Sequence, residues 1–210
     1  MGATKIMVIR HAEKPGTYDG IDYAGVAATG EPCKKSLVTL GWERAGGLVG
    51  LFAPPWGPAR KDLAIPASLF AADPWEDGAQ EPSADESEGE PSQRPYQTVT
   101  AVAAKIGKSI SIDTGFKKSE FKPMVDAALT RQGVVLIAWQ HQCIPDMARH
   151  ILKHTGTPTG KFPIPIKWPE DRYDLVWVFD RPDGKGHITA FTQVPQLLLA
   201  GDQKKVIRTL

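Results

Sequence analysis

KIMVI at residues 5–9 and VVLIAW at residues 134–139 are the two stretches that decide the fold of this chain. Both are continuous apolar runs rich in β-branched residues, which is typical of strands buried on both faces of a parallel sheet. Each run is followed, after one intervening residue, by a histidine: His11 follows the first and His141 the second. Ligands of open α/β sheets bind beyond the carboxyl ends of the strands, so the sequence predicts that both histidines lie at one ligand-binding edge.

Further strands and helices alternate along the chain around these two runs. The predicted helices span residues 39–53, with Thr39 as the N-cap, and residues 94–106, 123–131 and 145–153. The other predicted strands span residues 67–72, 109–112, 174–180 and 187–194. This alternation predicts an α/β fold: a mainly parallel central sheet with helices on both faces and an antiparallel strand pair at the C-terminal end. We expect residues 1–210 to form a single domain of this kind.

The charge of the chain is unevenly distributed although its total is close to zero. The 25 Lys and Arg residues nearly balance the 24 Asp and Glu residues, giving a formal net charge of +1. Residues 73–93 hold eight acidic residues and no Lys or Arg, so removing their charge of −8 leaves +9 on the rest of the chain. This segment has no aliphatic residue larger than Ala and predicts a flexible surface loop. The remainder is moderately basic, which favours an anionic ligand.

The composition argues against several classes of protein. Hydrophobic residues make up 41% of the chain, and no apolar run approaches the ~20 residues of a membrane-spanning helix, so no membrane partner is expected. The N-terminus has no signal-peptide core, and Cys33 and Cys143 are too few for a disulfide framework, so we expect a cytoplasmic protein. No stripe of Lys and Arg is interleaved with aromatic residues, which argues against nucleic acid as a partner.

A phosphate-binding site is indicated by the residues that follow the two buried strands. The imidazole of His11 can act as a nucleophile, and the guanidinium of Arg10 can hold phosphate oxygens in a bidentate fork. His141 supplies another hydrogen-bond donor at the same edge. Arg94 begins a predicted helix, so its charge and the positive end of the helix can face the same anion. These four residues predict a phosphate pocket built without a metal ion.

Four motifs, in the same order along the chain, carry a resemblance to a known family. They are RHAEK at residues 10–14, SLVTLGWERA at 36–45, SQRPYQTVTA at 92–101 and VVLIAWQHQCIP at 134–145. They resemble four segments of the histidine phosphatase superfamily, also called phosphoglycerate mutase-like. The first resembles the family's nucleophile signature and the second the start of one of its helices. The third resembles the segment with its second phosphate-binding arginine, and the fourth resembles the strand with its second histidine. Ala12 stands where most members have Gly.

The resemblance implies a phosphatase that works through a phosphohistidine. His11 would attack phosphorus and become transiently phosphorylated, while Arg10, Arg94 and His141 stabilise the charge on the phosphoryl oxygens. Neither a metal ion nor a cofactor is required in this family. The expected substrate is a phosphomonoester or a phosphoramidate, carried by a small molecule or by a phosphoprotein, and the oligomeric state is left open.

The general acid that protonates the leaving group has three candidates in the sequence. The family's Glu in its L-x-E context is missing, and Gln142 stands where another branch has an Asp after the second histidine. The remaining candidates are Glu120, Asp113 and Glu13. Glu120 is favoured, because a loop position that leads into a helix matches the region expected from the resemblance.

Two further patterns are given a structural interpretation. Arg44 lies in the second motif and is expected to form a salt bridge rather than to contact phosphate. His150 and His154 are four residues apart on a predicted helix, a spacing that can chelate zinc, but a solvated helix face is favoured because no Glu follows His150.

Two alternative functions stand beside the phosphatase. One is a phosphoglycerate mutase, whose usual His-Gly-Glu-Ser signature is absent from this sequence. The other is a catalytically weak domain that binds a phosphorylated ligand and serves a regulatory role. The missing family acid motivates the second alternative.

Overall fold

The structure is a computed structural model and describes residues 1–75 and 92–209. Within these ranges the strands are β1 (Ala3–Arg10), β2 (Gly16–Tyr18), β3 (Ile21–Tyr23), β4 (Ser68–Ala71), β5 (Ile112–Asp113), β6 (Gly133–Trp139), β7 (Leu175–Asp180) and β8 (Ala190–Pro195). The helices are α1 (Thr39–Phe52), α2 (Arg94–Ile106), α3 (Phe121–Thr130) and α4 (Ile144–His154). The acidic segment predicted to be a flexible loop, 73–93, lies for most of its length outside the described residues.

Six of the strands form one sheet in the order β5-β4-β6-β1-β7-β8. The first four of these run parallel to one another, whereas β7 is antiparallel to β1 and β8 is antiparallel to β7. Helices α1, α2 and α3 lie in the connections between the parallel strands β1, β4, β5 and β6, which need such crossovers, whereas α4 connects β6 to the antiparallel strand β7. The predicted α/β class, with its mainly parallel sheet and antiparallel C-terminal pair, is confirmed.

Apolar layers cover both faces of this sheet, which is why its central strands are continuously apolar. Along β1, Ile6 and Val8 belong to one layer, and Met7 and Ile9 belong to the other. Helices α3 and α4 add Met124, Val125, Met147 and Ile151 to the first layer, while α1 and α2 add Leu48, Phe52, Val99 and Val102 to the second. Burial of one such side chain contributes about 1.5–3 kcal/mol, so the two layers hold the strand ends in fixed positions.

β2 and β3 form a second sheet, and neither strand is among those predicted from the sequence. The two strands pair antiparallel and are joined by Asp19 and Gly20, whose φ angles are 51° and 78°. Two successive residues with positive φ are typical of the tight hairpin turn that Asp-Gly favours. Both strands are only three residues long and largely exposed, so they lack the apolar pattern by which the other strands were predicted.

Three local predictions are wrong at their boundaries. The strand predicted at 109–112 is reduced to β5, which covers only Ile112–Asp113. The N-cap of α1 is Val38 rather than Thr39, and no side chain caps this helix. The main-chain N–H of Val38 donates instead to the carbonyl oxygen of Glu13, 3.1 Å away, so a tertiary contact fixes where the helix begins. The last strand is shifted toward the C-terminus relative to the predicted 187–194.

None of the helices described within 1–75 and 92–209 is long and apolar enough to cross a membrane.

Candidate active site

The carboxyl ends of β1 and β6 meet at the centre of the sheet. Arg10 at the end of β1 is in register with Trp139 at the end of β6. The main-chain N–H of His11 donates to the carbonyl oxygen of Trp139 over 2.9 Å, and His141 follows two residues later. The two predicted histidines therefore lie at the same edge of the sheet, as the order of the apolar strands requires.

His11 is arranged as a neutral imidazole with one free nitrogen. It is buried, and its Nδ1 lies 2.7 Å from the carbonyl oxygen of Ala12. A carbonyl oxygen only accepts hydrogen bonds, so Nδ1 carries the proton and Nε2 keeps its lone pair. Burial, followed by the charges of Arg10 and Arg94, holds the pKa of His11 well below its ordinary value. A neutral imidazole with an unprotonated Nε2 is the form that can act as a nucleophile.

Thr98 connects the segment that follows β1 to helix α2. Its Oγ1 accepts a hydrogen bond of 2.8 Å from the main-chain N–H of Ala12 and donates one of 2.7 Å to the carbonyl oxygen of Arg94. The neighbouring Gln97 accepts from the main-chain N–H of Leu37 over 3.0 Å. The Gln-Thr pair of the third motif thus binds main-chain groups and positions the segments around His11.

Arg94 begins helix α2 on the same side of the sheet. Its Nη1 donates to the carbonyl oxygen of Lys34 over 3.3 Å, and its positive charge contributes to the lowered pKa of His11. The two predicted phosphate-binding arginines, Arg10 and Arg94, therefore both act electrostatically on the imidazole of His11. A site with two guanidinium groups around a neutral histidine attracts an anion of charge −1 or −2.

Arg10 is almost completely buried, and most of its hydrogen-bonding groups are bound to one loop. Its Nη1 donates to the carbonyl oxygens of Pro169, Glu170 and Arg172, and its Nη2 donates to the hydroxyl of Tyr173 over 3.1 Å. The guanidinium carbon also lies 3.7 Å from the centre of the Tyr173 ring.

The Nε–H of Arg10 is buried and has no hydrogen-bond acceptor among the described residues. An unpaired buried donor on a charged group is costly, so this N–H is suited to an oxygen of a bound anion. The bonds to the 169–173 loop leave the guanidinium in one orientation, with Nε–H among its available donors.

His141 is the second buried imidazole of the site. Burial, followed by the charges of Arg10 and Lys14, lowers its pKa to about 4. Its Nδ1 is buried without a hydrogen-bond partner in the part of the chain that the structure describes. A neutral imidazole can donate one hydrogen bond to a phosphoryl oxygen, which is the role expected for His141.

The three candidate acids are each held by another group. Glu13 is buried and accepts from Arg44, with Oε1 and Nη2 2.7 Å apart, so the expected salt bridge of Arg44 is confirmed. Asp113 pairs with Arg131 over 2.8 Å. Glu120 is exposed and accepts from the main-chain N–H of Lys117 over 2.9 Å.

The assignment of the acid to Glu120 stays a prediction. Its loop does approach the end of β6, because Trp139 Nε1 donates to the carbonyl oxygen of Lys118 over 3.1 Å. Burial lowers the pKa of Arg10, and the charge of Glu170 is among those that partly oppose this lowering, although nothing in the sequence pattern points to Glu170. We add Glu170 to the candidate acids.

Two tyrosines complete the surroundings of Arg10. Tyr18 donates to the carbonyl oxygen of Lys14 over 2.7 Å, so the 3.3 Å contact between the two hydroxyls has Tyr173 as its donor. The resulting chain runs from Arg10 through Tyr173 and Tyr18 to Lys14. No pattern in the sequence indicates this chain, because Tyr173 is separated from Arg10 by 163 positions.

No protein-family model matches the sequence, and no curated protein matches it. Among solved structures, one similar chain is described as the "putative phosphohistidine phosphatase SixA" from Agrobacterium tumefaciens. The alignment has 14% sequence identity and a TM-score of 0.43, and it covers 90% of this chain and 97% of that chain. A likeness at this level does not establish family membership or activity.

Proposed function

We propose that the protein is a metal-independent phosphatase of the histidine phosphatase superfamily, with His11 as the nucleophile. The observation that carries the proposal is the state of His11: buried, neutral, with Nδ1 bonded to Ala12 and Nε2 unprotonated, beside Arg10 and Arg94. Such an imidazole is poised to attack an electrophile that is itself an anion.

In the first half-reaction a phosphoryl group would bind between the two arginines. One oxygen accepts from the Nε–H of Arg10, and others accept from Arg94 and His141. Nε2 of His11 forms a bond to phosphorus as the bond from phosphorus to the leaving group breaks. The leaving group departs with the bonding electron pair and is protonated by an acid or by water. Charge on the transferring group is stabilised by fixed donors in a buried site, which is the main source of catalysis in phosphoryl transfer.

In the second half-reaction a water molecule attacks the phosphohistidine. An oxygen–phosphorus bond forms, the bond from Nε2 to phosphorus breaks, and His11 recovers its lone pair. Water loses one proton to a base or to the phosphate product. The hydrogen bond from Nδ1 to Ala12 persists through both steps, because only Nε2 changes its bonding.

The contacts of the three acids predicted from the sequence bear on which substrates the site can hydrolyse. Glu13 is neutralised by Arg44, Asp113 by Arg131, and Glu120 is bound within its own loop. A site with weak general acid catalysis favours substrates whose leaving group departs without strong protonation. We therefore propose phosphoramidates and aryl or acyl phosphates as better substrates than alkyl phosphates.

The engaged acids also support a second candidate function. A domain that binds a phosphorylated ligand but turns it over slowly would need the arginines and His141 and could dispense with an acid. Binding of a phosphorylated ligand without turnover would favour this function.

Hydrolysis of p-nitrophenyl phosphate separates the two functions, since nitrophenolate needs little protonation to leave. We expect turnover by the wild type, none by His11→Ala, and full activity in His187→Ala. His187 is an exposed histidine whose Nδ1 contacts the carbonyl oxygen of Thr155, so its replacement controls for the loss of any imidazole. Turnover by His11→Ala at the wild-type rate would overturn the proposal.

A further inference from the structure

Asp126, His150 and His154 form a cluster on the side of the molecule formed by α3 and α4. Nε2 of His150 and Nδ1 of His154 each lie 2.7 Å from the same oxygen, Oδ1 of Asp126. The three side chains offer one ligand atom each, and these atoms all lie within 4.8 Å of one another. From this arrangement we propose that the cluster is a binding site for a divalent transition-metal ion of the zinc type.

The fold supplies the third ligand that the sequence pattern lacks. His150 and His154 are one helical turn apart, so their imidazoles lie on the same face of α4, with ring centres 5.9 Å apart. Asp126 comes from α3, which packs against α4, and lies 24 positions from His150. The sequence predicts that both histidines lie on a solvated helix face. This agrees with His154, whose side chain is 49% exposed, but the side chain of His150 is only 19% exposed and contacts Asp126.

The spacing of the ligand atoms suits a small tetrahedral ion. With metal–ligand distances of about 2.0–2.1 Å, neighbouring ligands in a tetrahedron are about 3.3 Å apart. The observed separations of 2.7 Å are hydrogen bonds, and opening them by roughly 0.6 Å would make room for the ion in place of two N–H protons. Partial exposure of Asp126 and His154 leaves a path from solvent and a fourth position for water.

The choice of ion follows from the ligands. Imidazole nitrogen favours Zn²⁺, Cu²⁺, Ni²⁺ and Co²⁺, whereas Mg²⁺ and Ca²⁺ prefer sites made entirely of oxygen. The nearby charges of Lys122 and Lys153, which line the same groove as His150, oppose a cation and limit the affinity.

The metal site is separate from the candidate active site. Helix α4 begins at Ile144, three residues after His141, so along the helix axis His150 lies about 9 Å and His154 about 15 Å beyond its first residue. A bound ion would join α3 to α4 and stabilise the folded state, without taking part in phosphoryl transfer.

Equilibrium dialysis with Zn²⁺, together with melting temperatures, tests the proposal on the full chain. We expect one zinc-binding site in the wild type and in His187→Ala, with affinity weakened by at least about tenfold in His154→Ala. Asp126→Asn retains an acceptor oxygen for the two imidazoles but removes the charged ligand, and we expect the same weakening without loss of folding. Zn²⁺ should raise the melting temperature of the wild type and of His187→Ala, and at the same zinc concentration it should raise that of the two cluster variants less.

Two results would overturn the proposal. One is the absence of zinc binding by the folded wild type. The other is zinc binding of unchanged affinity in both cluster variants, which would place the ion at the active-site histidines or at a cysteine. The visible spectrum of bound Co²⁺ gives an independent readout, since a tetrahedral site of nitrogen and oxygen ligands absorbs strongly but lacks thiolate charge transfer.

Discussion

The main-chain N–H of His11 donates a hydrogen bond to the carbonyl oxygen of Trp139, with the nitrogen and oxygen 2.9 Å apart. This bond continues the β1–β6 ladder by one residue beyond the end of β1. It holds the segment that contains His11 level with the turn that contains His141. The position of the proposed nucleophile is thus set by main-chain hydrogen bonding between two buried strands. The side chain of Thr98 adds a second constraint, because it accepts a hydrogen bond from the main-chain N–H of the next residue, Ala12.

Replacing Thr98 with Val tests this positioning. Val keeps the volume of Thr but leaves the main-chain N–H of Ala12 without its acceptor, so we expect the free energy of unfolding to fall by about 1–3 kcal/mol. Displacement of His11 should lower kcat by about 10–100-fold. Thr100→Val is the matched control, because Thr100 donates only to the carbonyl oxygen of Tyr96 in its own helix. Equal activities for the two variants would contradict a positioning role.

Tyr173→Phe tests whether the loop at 169–173 orients Arg10. The ring stays stacked on the guanidinium, while the hydroxyl that binds Arg10 and Tyr18 is removed. We expect kcat/KM for p-nitrophenyl phosphate to fall by about tenfold, with little change in stability. Tyr23→Phe, on the hairpin strand that contacts Tyr18, should be neutral. An unchanged kcat/KM in Tyr173→Phe would mean that the hydroxyl is not needed, and that ring stacking and the main-chain carbonyl oxygens of the loop suffice to orient Arg10.

The buried ion-pair network of Arg44 predicts how stability depends on pH. Burial alone would raise the pKa of Asp202, but hydrogen bonds from Arg44 and from two main-chain N–H groups outweigh it and hold that pKa below its ordinary value. A carboxylate with a lowered pKa stabilises the folded state above its unfolded pKa and loses this contribution as pH falls through the folded pKa.

We therefore expect the melting temperature to drop steeply below about pH 4 and the drop to be smaller in Asp202→Asn. Asp146→Asn provides the comparison, because the Asp146–Arg149 pair is exposed and contributes little. The account of the network is contradicted by parallel pH profiles for wild type and Asp202→Asn.

Glu120→Gln and Glu170→Gln separate the candidate acids. An acid that protonates the leaving group should be needed for alkyl phosphates far more than for aryl phosphates, and its removal typically costs ~10²–10⁴-fold when protonation matters. Turnover of an alkyl and an aryl phosphate by both variants gives the measurement. Small losses that are equal on both substrates would exclude Glu120 and Glu170 and leave Asp113 and Glu13 to be tested in the same way. The same result at all four positions would support a site without a dedicated acid, for which phosphoramidates are the preferred substrates.

Much of the fold could be predicted because its strongest determinants are local in sequence. The runs at 5–9 and 134–139 are apolar on both faces, and helix α2 was predicted at its observed bounds, with Pro95 in its first turn and Gly107 as its C-cap. The β2–β3 hairpin was also predictable in principle, since Asp19-Gly20 is a strong turn signal.

The remaining features depend on tertiary contacts that a single sequence does not reveal. Tyr173 reaches Arg10, and Asp126 reaches His150, only after the sheet and helices have assembled. The start of α1 is set by a bond to Glu13 rather than by a capping side chain. The placement of His11 and His141 at one edge of the sheet could be predicted from the two apolar runs, and the roles of His11, His141, Arg10 and Arg94 stay predictions.

The central claim is that phosphate passes through Nε2 of His11. A rapid quench of the enzyme during turnover of a radiolabelled aryl phosphate or phosphoramidate tests it directly, because phosphohistidine is labile to acid and stable to base. We predict labelled protein in the wild type and in His187→Ala, with the label mapped to His11, and none in His11→Ala. Turnover without a labelled intermediate, or a label that persists in His11→Ala, would contradict the account.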